Sequence, residues 1–252
     1  MEPRIPVRLL VALATGLAGL AWGQQSAQAA TAPPSAPLSA HLAERIDDDF
    51  SGYGRGVLDD GQRLGPWRVV FDGNYGGPSV HVRGGLLRLR PQPARSSGQT
   101  FAALVVSRKE FDAEALHVSA TWVTQAHTRT GKPNPWEVGW LVWDYEDNDH
   151  FTYLVLKPNG WEVGRRDPAF PGGQRFIADG TSPRTRLGLV RTATVDRIGT
   201  ETTVRVDGTV LASFEVGAGE TSGAVGMYCE DSVVDWLAIS ASTGEGVSDR
   251  IP

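Results

Sequence analysis

The stretch from Pro133 to Gly164 reads PNPWEVGWLVWDYEDNDHFTYLVLKPNGWEVG, and its punctuation sets the fold class. Two apolar runs of strand length, EVGWLVWDYE and FTYLVLK, flank a dense acidic turn. A third, WEVG, follows the Asn159-Gly160 pair, which supplies the backbone freedom a tight hairpin needs. The stretch therefore predicts a three-stranded meander. Strand alternation puts Glu137, Gly139, Leu141, Trp143 and Tyr145 on one face and Val138, Trp140, Val142 and Asp144 on the other. In the second run Phe151, Tyr153, Val155 and Lys157 share a face, opposite Thr152, Leu154 and Leu156.

The same texture extends in both directions. Short runs rich in Val, Leu, Thr, Trp and Phe recur between clusters of Gly, Pro, Asn and Asp, and helical periodicity is almost absent. Strands are expected near Trp67–Phe71, Ser79–Val82, Leu86–Arg90, Phe101–Ser107, Leu116–Gln125, Val138–Tyr145, Phe151–Lys157 and Glu162–Arg166. Others follow near Arg186–Arg191, Thr194–Ile198, Thr202–Val206, Val210–Glu215, Ala224–Tyr228 and Val233–Ser240. Gly84-Gly85 and Asp207-Gly208 read as further hairpin turns. About a dozen short antiparallel strands without a long helix describe an all-β, two-sheet antiparallel sandwich of jelly-roll type. Asp49-Phe50 near the start and Val234–Leu237 near the end are expected to lie side by side, which would hide both edges.

Arg4 and Arg8, an apolar run from Leu9 to about Ala21 and then Ala27-Gln28-Ala29 have the make-up of a secretory signal peptide, residues 1–29. The run is too short for a comfortable membrane span, so no span is expected in the mature chain. Residues 30–45 have the composition of a flexible linker, 46–241 form the expected domain, and 242–252 a tail. The formal net charge is −5 and no basic block occurs, which argues against a nucleic-acid partner. Cys229, the single cysteine, lies in an apolar run and reads as a buried, inert thiol.

Three segments carry a resemblance: DDF at 48–50, TTVRVDGTVLASFEV at 202–216, and GAVGMYCEDSVVDWLAIS at 223–240. Together they resemble the concanavalin A-like lectin and glucanase superfamily, and the last is similar to laminin-G-type and keto-disaccharide-hydrolase-like jelly rolls. The resemblance spans roughly residues 46–241. It implies a glycan-facing concave sheet and, in many members, a structural calcium. On that basis Asp49 and Asp235 become the candidate calcium ligands, while the acidic turn DYEDND reads as ordinary hairpin chemistry.

The ring-rich meander suits sugars, because pyranose C–H faces stack on aromatic rings while hydroxyls take directional hydrogen bonds. Any one of these rings would serve equally as core. The expected ligand contacts are Gln125, Trp136, Glu137, Trp143, Tyr153, Lys157 and Trp161. Retaining family 16 glycoside hydrolases carry Glu-x-Asp-x-x-Glu on one strand, with carboxylates about 5–5.5 Å apart. Here Gly139 stands two residues after Glu137 and breaks that motif. Alginate-lyase-like jelly rolls offer another parallel through Arg108, Gln125-Ala126-His127 and Tyr153, without their Arg-x-Glu-x-Arg pattern. If the chain is catalytic, Glu137 and His127 are the expected acid and base. The sequence thus points to a secreted protein that binds a polysaccharide or cell-envelope glycan on a β-jelly roll, with cleavage of that glycan left open. A non-catalytic lectin or adhesion module, a lyase of uronate-containing glycans and a structural envelope protein stay open as alternatives.

Overall fold

A computed structural model describes residues 44–71, 79–96, 98–112 and 114–244. The expected leader, most of the expected linker and most of the tail lie outside these residues. In chain order the first strands are β1 (Arg45–Asp48), β2 (Gly56–Leu58), β3 (Arg63–Leu64), β4 (Trp67–Phe71), β5 (Val80–Val82) and β6 (Leu87–Leu89). Next come β7 (Ala102–Ser107), β8 (Ala115–His127), β9 (Gly139–Asp147), β10 (His150–Lys157), β11 (Gly160–Arg166) and β12 (Gln174–Gly180). The last are β13 (Arg191–Ile198), β14 (Glu201–Val206), β15 (Thr209–Glu215), β16 (Ala224–Glu230) and β17 (Ser232–Thr243).

They build two antiparallel sheets. A nine-stranded sheet runs β15-β14-β13-β8-β17-β6-β5-β2, with β1 also paired to β17. An eight-stranded sheet runs β12-β11-β10-β9-β16-β7-β4-β3. Alternation supplies the core between them. From the eight-stranded sheet come Trp67, Leu141, Trp143, Leu154, Trp161 and Met227; from the other come Leu87, Val118, Trp122, Val195, Val234 and Trp236. The Trp122 and Trp236 rings stack there with centroids 5.0 Å apart. Cys229 is fully buried in this core, and burial pushes its thiol up, so little of it ionises near neutrality. Asp207-Gly208 turns β14 into β15 with both φ angles positive, as the sequence required.

The chain ends do lie side by side, but in a different register from the one expected. Asp48 stands opposite Ile239, so β1 meets the far half of β17 and not Val234–Leu237. Of the expected strand Arg186–Arg191, residues 186–190 are a loop with a turn at Leu187-Gly188, and only Arg191 is in a strand, as the first residue of β13. Conversely, QRFIADG forms edge strand β12 although it lacks clean alternation.

One irregularity reassigns the meander's faces. Asp144 takes a left-handed φ of 48°, and pairing shifts register beside it on both neighbouring strands. Two successive side chains, Trp143 and Asp144, therefore turn inward, and Asp144 meets Arg197 of the opposite sheet at 2.5 Å with both groups buried. Tyr145 is thrown to the outer face, so it parts from Trp143 instead of sharing its side.

Candidate functional site

The outer face of the eight-stranded sheet carries a second apolar cluster, separate from the core. Strand register builds it in rows. Phe71, Leu104, Tyr228, Trp140, Val155 and Glu162 lie opposite one another in sequence across β4, β7, β16, β9, β10 and β11. The next row is Val106, Gly226, Val142, Tyr153, Gly164 and Phe176. A third brings Phe151, Arg166 and Gln174 together. Because β16 pairs with both β7 and β9, residues from the end of the chain sit in the middle of this face.

A groove of ≈ 320 Å³ opens here, lined by Phe71, Trp140, Asn148, Phe151, Arg166, Gln174, Tyr228 and Glu230. Its floor is aromatic. Trp140 lies 4.7 Å from Tyr153 and 5.1 Å from Tyr228 between ring centroids, and Phe71 meets Tyr228 edge-on at 6.2 Å. Its rim is polar. Tyr228 donates its hydroxyl proton to Glu230 at 2.5 Å, and Tyr153 donates to Glu162 at 2.9 Å while accepting from Gln174. Lys157 pairs with Glu162 at 2.7 Å.

Burial pushes the Glu230 carboxyl up to about 7. The Tyr228 hydroxyl opposes the rise, the charges of Asp231 and Glu137 add to it, and Arg166 opposes it. Near neutrality the group can therefore either donate a proton in a hydrogen bond or accept one. A volume of this size, apolar below with a few convergent polar groups, matches small-molecule sites in general.

No protein-family model matches the chain, and no curated protein matches it. Solved structures do. The metal-free carbohydrate recognition domain of Emp46p aligns over 77% of this chain and 94% of its own, with 11% identity and a TM-score of 0.54. The metal-free exoplasmic/lumenal domain of VIP36 aligns over 81% and 94%, with 13% identity and a TM-score of 0.52. SCLam, a non-specific endo-β-1,3(4)-glucanase from family GH16, aligns over 81% and 92%, with 11% identity and a TM-score of 0.51. The fold is the concanavalin A-like jelly roll.

Within this jelly roll the residues expected from the sequence fall into separate places. Tyr153 and Lys157 belong to the outer face of the eight-stranded sheet. Trp143 and Trp161 do not; both are core residues between the sheets. Gly180 of β12 makes the second placement possible, since a Cβ there would lie 2.6 Å from Trp161 Nε1, which donates to the Ser182 carbonyl. Glu137 is fully buried and bound by Arg129 at 2.5 Å and Asn134 at 2.7 Å, so no ligand reaches it. Trp136 is 45% exposed, and its carbonyl accepts from Trp140 Nε1. Gln125 and His127 lie on the nine-stranded sheet, away from the groove. His127 meets the Glu137 backbone carbonyl while the buried Glu137 carboxylate is held by Arg129, so the two do not form an acid–base pair over one ligand.

Asp49 and Asp235 do not fit a calcium ion. Asp235 is clamped by Arg88 through both oxygens, at 2.5 and 2.6 Å, and by Gln125 at 3.0 Å. Asp49 caps the Ser51 amide and hydroxyl. Asp235 also lies four residues along β17 from Ile239, the partner of Asp48, or about 13 Å at strand rise. Among the described residues no group of three or more acidic, His or Cys side chains could hold a metal. The groove residues Phe71, Trp140, Phe151, Tyr228 and Glu230 were missed by the sequence reading. Their signal was faint: Tyr228 and Glu230 alternate in AVGMYCE, but nothing local says that this strand runs beside Trp140.

Proposed function

We propose that the chain is an exported saccharide-binding jelly roll whose ligand lies in the groove on the outer face of the eight-stranded sheet. The observation that carries this reading is the Phe71–Tyr228–Trp140 floor, backed by Tyr153 and edged by Glu230, Asn148, Arg166 and Gln174. Flat rings under a rim of mixed donors and acceptors suit a pyranose, with apolar C–H faces and equatorial hydroxyls. Two of the fold neighbours, a carbohydrate recognition domain and a glucanase, agree with that chemistry. Export rests on the leader-like residues 1–29.

Binding without cleavage is the form the site favours. Hydrolysis needs two carboxyl groups about 5–9.5 Å apart. Among the described residues the other carboxylates near this groove, Glu162 and Asp149, are both already in ion pairs. Glu162 stands three strands away from Tyr228 in its row, about 14 Å at usual strand spacing, and is already neutralised by Lys157, while Asp149 is held by Arg166 at 3.5 Å. The test is a panel of neutral polysaccharides run by affinity electrophoresis against the wild type, Phe71→Ala and Arg166→Ala, with reducing ends assayed in parallel. Retardation by one glycan, weakened about tenfold in both variants without new reducing ends, is expected. Retardation equal in all three proteins would remove the groove from the reading, and new reducing ends would replace binding with hydrolysis.

A further inference from the structure

A larger pocket, ≈ 630 Å³, opens at one end of the nine-stranded sheet. Its walls come from β5 (His81), the segment after β6 (Arg90, Pro91, Gln92, Pro93), the end of β8 (Ala126, His127, Thr128) and the start of β17 (Val233). One arginine and two histidines line it, and no carboxylate does, although the chain as a whole carries a net charge of −5.

The carboxylates nearest in sequence and register are already occupied. Asp235 is held by Arg88 and Gln125. Asp231 binds Arg129 and the amides of Ala94 and Phe101. Glu137 binds Arg129 and Asn134. The Arg90 side chain, by contrast, is exposed and has no ion pair among the described residues, while its backbone amide is fixed on the Ser79 carbonyl at 2.7 Å. His127 is oriented as well. Its Nδ1 faces the Glu137 carbonyl at 2.9 Å, and a carbonyl only accepts, so Nδ1 carries the proton and Nε2 is left for the pocket.

The wall is fixed before any ligand arrives. Pro91 and Pro93 restrict the backbone around Gln92, and Ala94 and Thr128 are both tied to Asp231. A fixed, partly enclosed site whose lining holds no carboxylate and whose guanidinium has no ion pair among the described residues attracts an oxyanion. The geometry points to a second ligand site, in which Arg90 takes the carboxylate or sulfate group of an acidic saccharide and His127 Nε2 accepts a hydrogen bond from one of its hydroxyls. This inference rests on the saccharide reading above for the body of its ligand, but on different residues and a different sheet.

The test is calorimetry of the full chain at low ionic strength with a hexuronate oligosaccharide, a sulfated oligosaccharide, a matched neutral oligosaccharide and inorganic sulfate. Arg90→Ala removes the charge from an exposed side chain. His127→Asn keeps a donor toward the Glu137 carbonyl and removes Nε2. Expected is tighter binding of the acidic than of the neutral ligand, a gain that salt erodes and that falls about tenfold or more in Arg90→Ala, while His127→Asn weakens acidic and neutral ligands alike. Phe71→Ala should leave that gain intact, and this separates failure of the groove from failure of the pocket. Acidic ligands that bind Arg90→Ala and His127→Asn as tightly as wild type would overturn the proposal. So would inorganic sulfate alone showing the Arg90-dependent binding, since that assigns the pocket to a free anion.

Discussion

Tyr228 and Glu230, two residues apart on β16, both face the groove, and the phenol donates to the carboxylate across 2.5 Å. Ring and acid thus form one unit at the base of the candidate site. With the Glu230 carboxyl raised from an ordinary 4.5 to about 7, the folded state holds a proton that the unfolded chain releases. Between those two values the folded protein binds more protons, so stability falls as pH rises through that window and the full penalty is present above it. Urea midpoints measured from pH 4.5 to 7 should therefore decline in the wild type and flatten in Glu230→Gln, which is the same shape and does not ionise. Tyr228→Phe removes a donor to the carboxylate, so the Glu230 titration should move further up when followed by carboxyl carbon NMR. A wild-type Glu230 that titrates near 4.5 would remove the basis of both expectations.

A second hub explains why Glu137 attracted notice in the sequence without serving a ligand. Arg129 binds Glu137 at 2.5 Å and Asp231 at 2.9 Å, and also the carbonyls of Ser96 and Gln99. It ties three loops together at the end of the sandwich. Both carboxylates are fully buried, and Glu137 Oε2 has no hydrogen-bond partner among the described residues. Arg129→Met would strand two buried charges and should cost about 3–5 kcal/mol in urea unfolding. Glu137→Gln should cost less, because Asp231 still pairs with Arg129, and it should leave saccharide affinity in the groove unchanged.

The meander shows what local sequence can and cannot carry. In β10 the alternation runs unbroken from Thr152, so the shared face of Tyr153, Val155 and Lys157 was legible residue by residue. In β9 the same reasoning failed at Asp144, where a left-handed φ in a non-glycine residue is invisible in the letters and reverses everything after it. Trp161 looked like a hairpin-end ring for a related reason. The strand that covers it, β12, depends on Gly180 yielding space to the indole and has no alternation of its own. The groove itself needed β16 to lie against β9, a pairing between distant segments that no local window encodes. Hairpins and strands are local physics, whereas the site is made by register between strands far apart in the chain.

The ion pair created by the Asp144 bulge can be tested by a double-mutant cycle. Arg197 and Asp144 are 0% and 1% exposed in their side chains, and burial pushes the Asp144 carboxyl up while Arg197 pulls it down. Arg197→Leu alone leaves a buried carboxylate without its cation and should cost about 3–5 kcal/mol. Adding Asp144→Asn removes the charge while keeping a residue that tolerates positive φ, so the double variant should regain part of the loss. Additive losses in the cycle would mean the pair is not coupled.

Gly164 offers the sharpest link between backbone and candidate site. It stands opposite Tyr153 in the register, and a Cβ there would lie 2.2 Å from the tyrosine oxygen. That oxygen is pinned by Glu162 and Gln174, and the ring is buried beside Trp140, so neither partner can yield cheaply. Gly164→Ala should therefore cost about 1–3 kcal/mol by overpacking and should displace Tyr153 from beside Trp140, which lines the groove, weakening saccharide binding as well. Tyr153→Phe keeps the ring in place and loses only the hydroxyl's bonds, so it should retain more affinity than Gly164→Ala. Calorimetric melting and saccharide titration on the two variants separate the packing role of the ring from the polar role of its hydroxyl. If both lose affinity equally, the hydroxyl network and not the ring surface is what the groove requires of Tyr153.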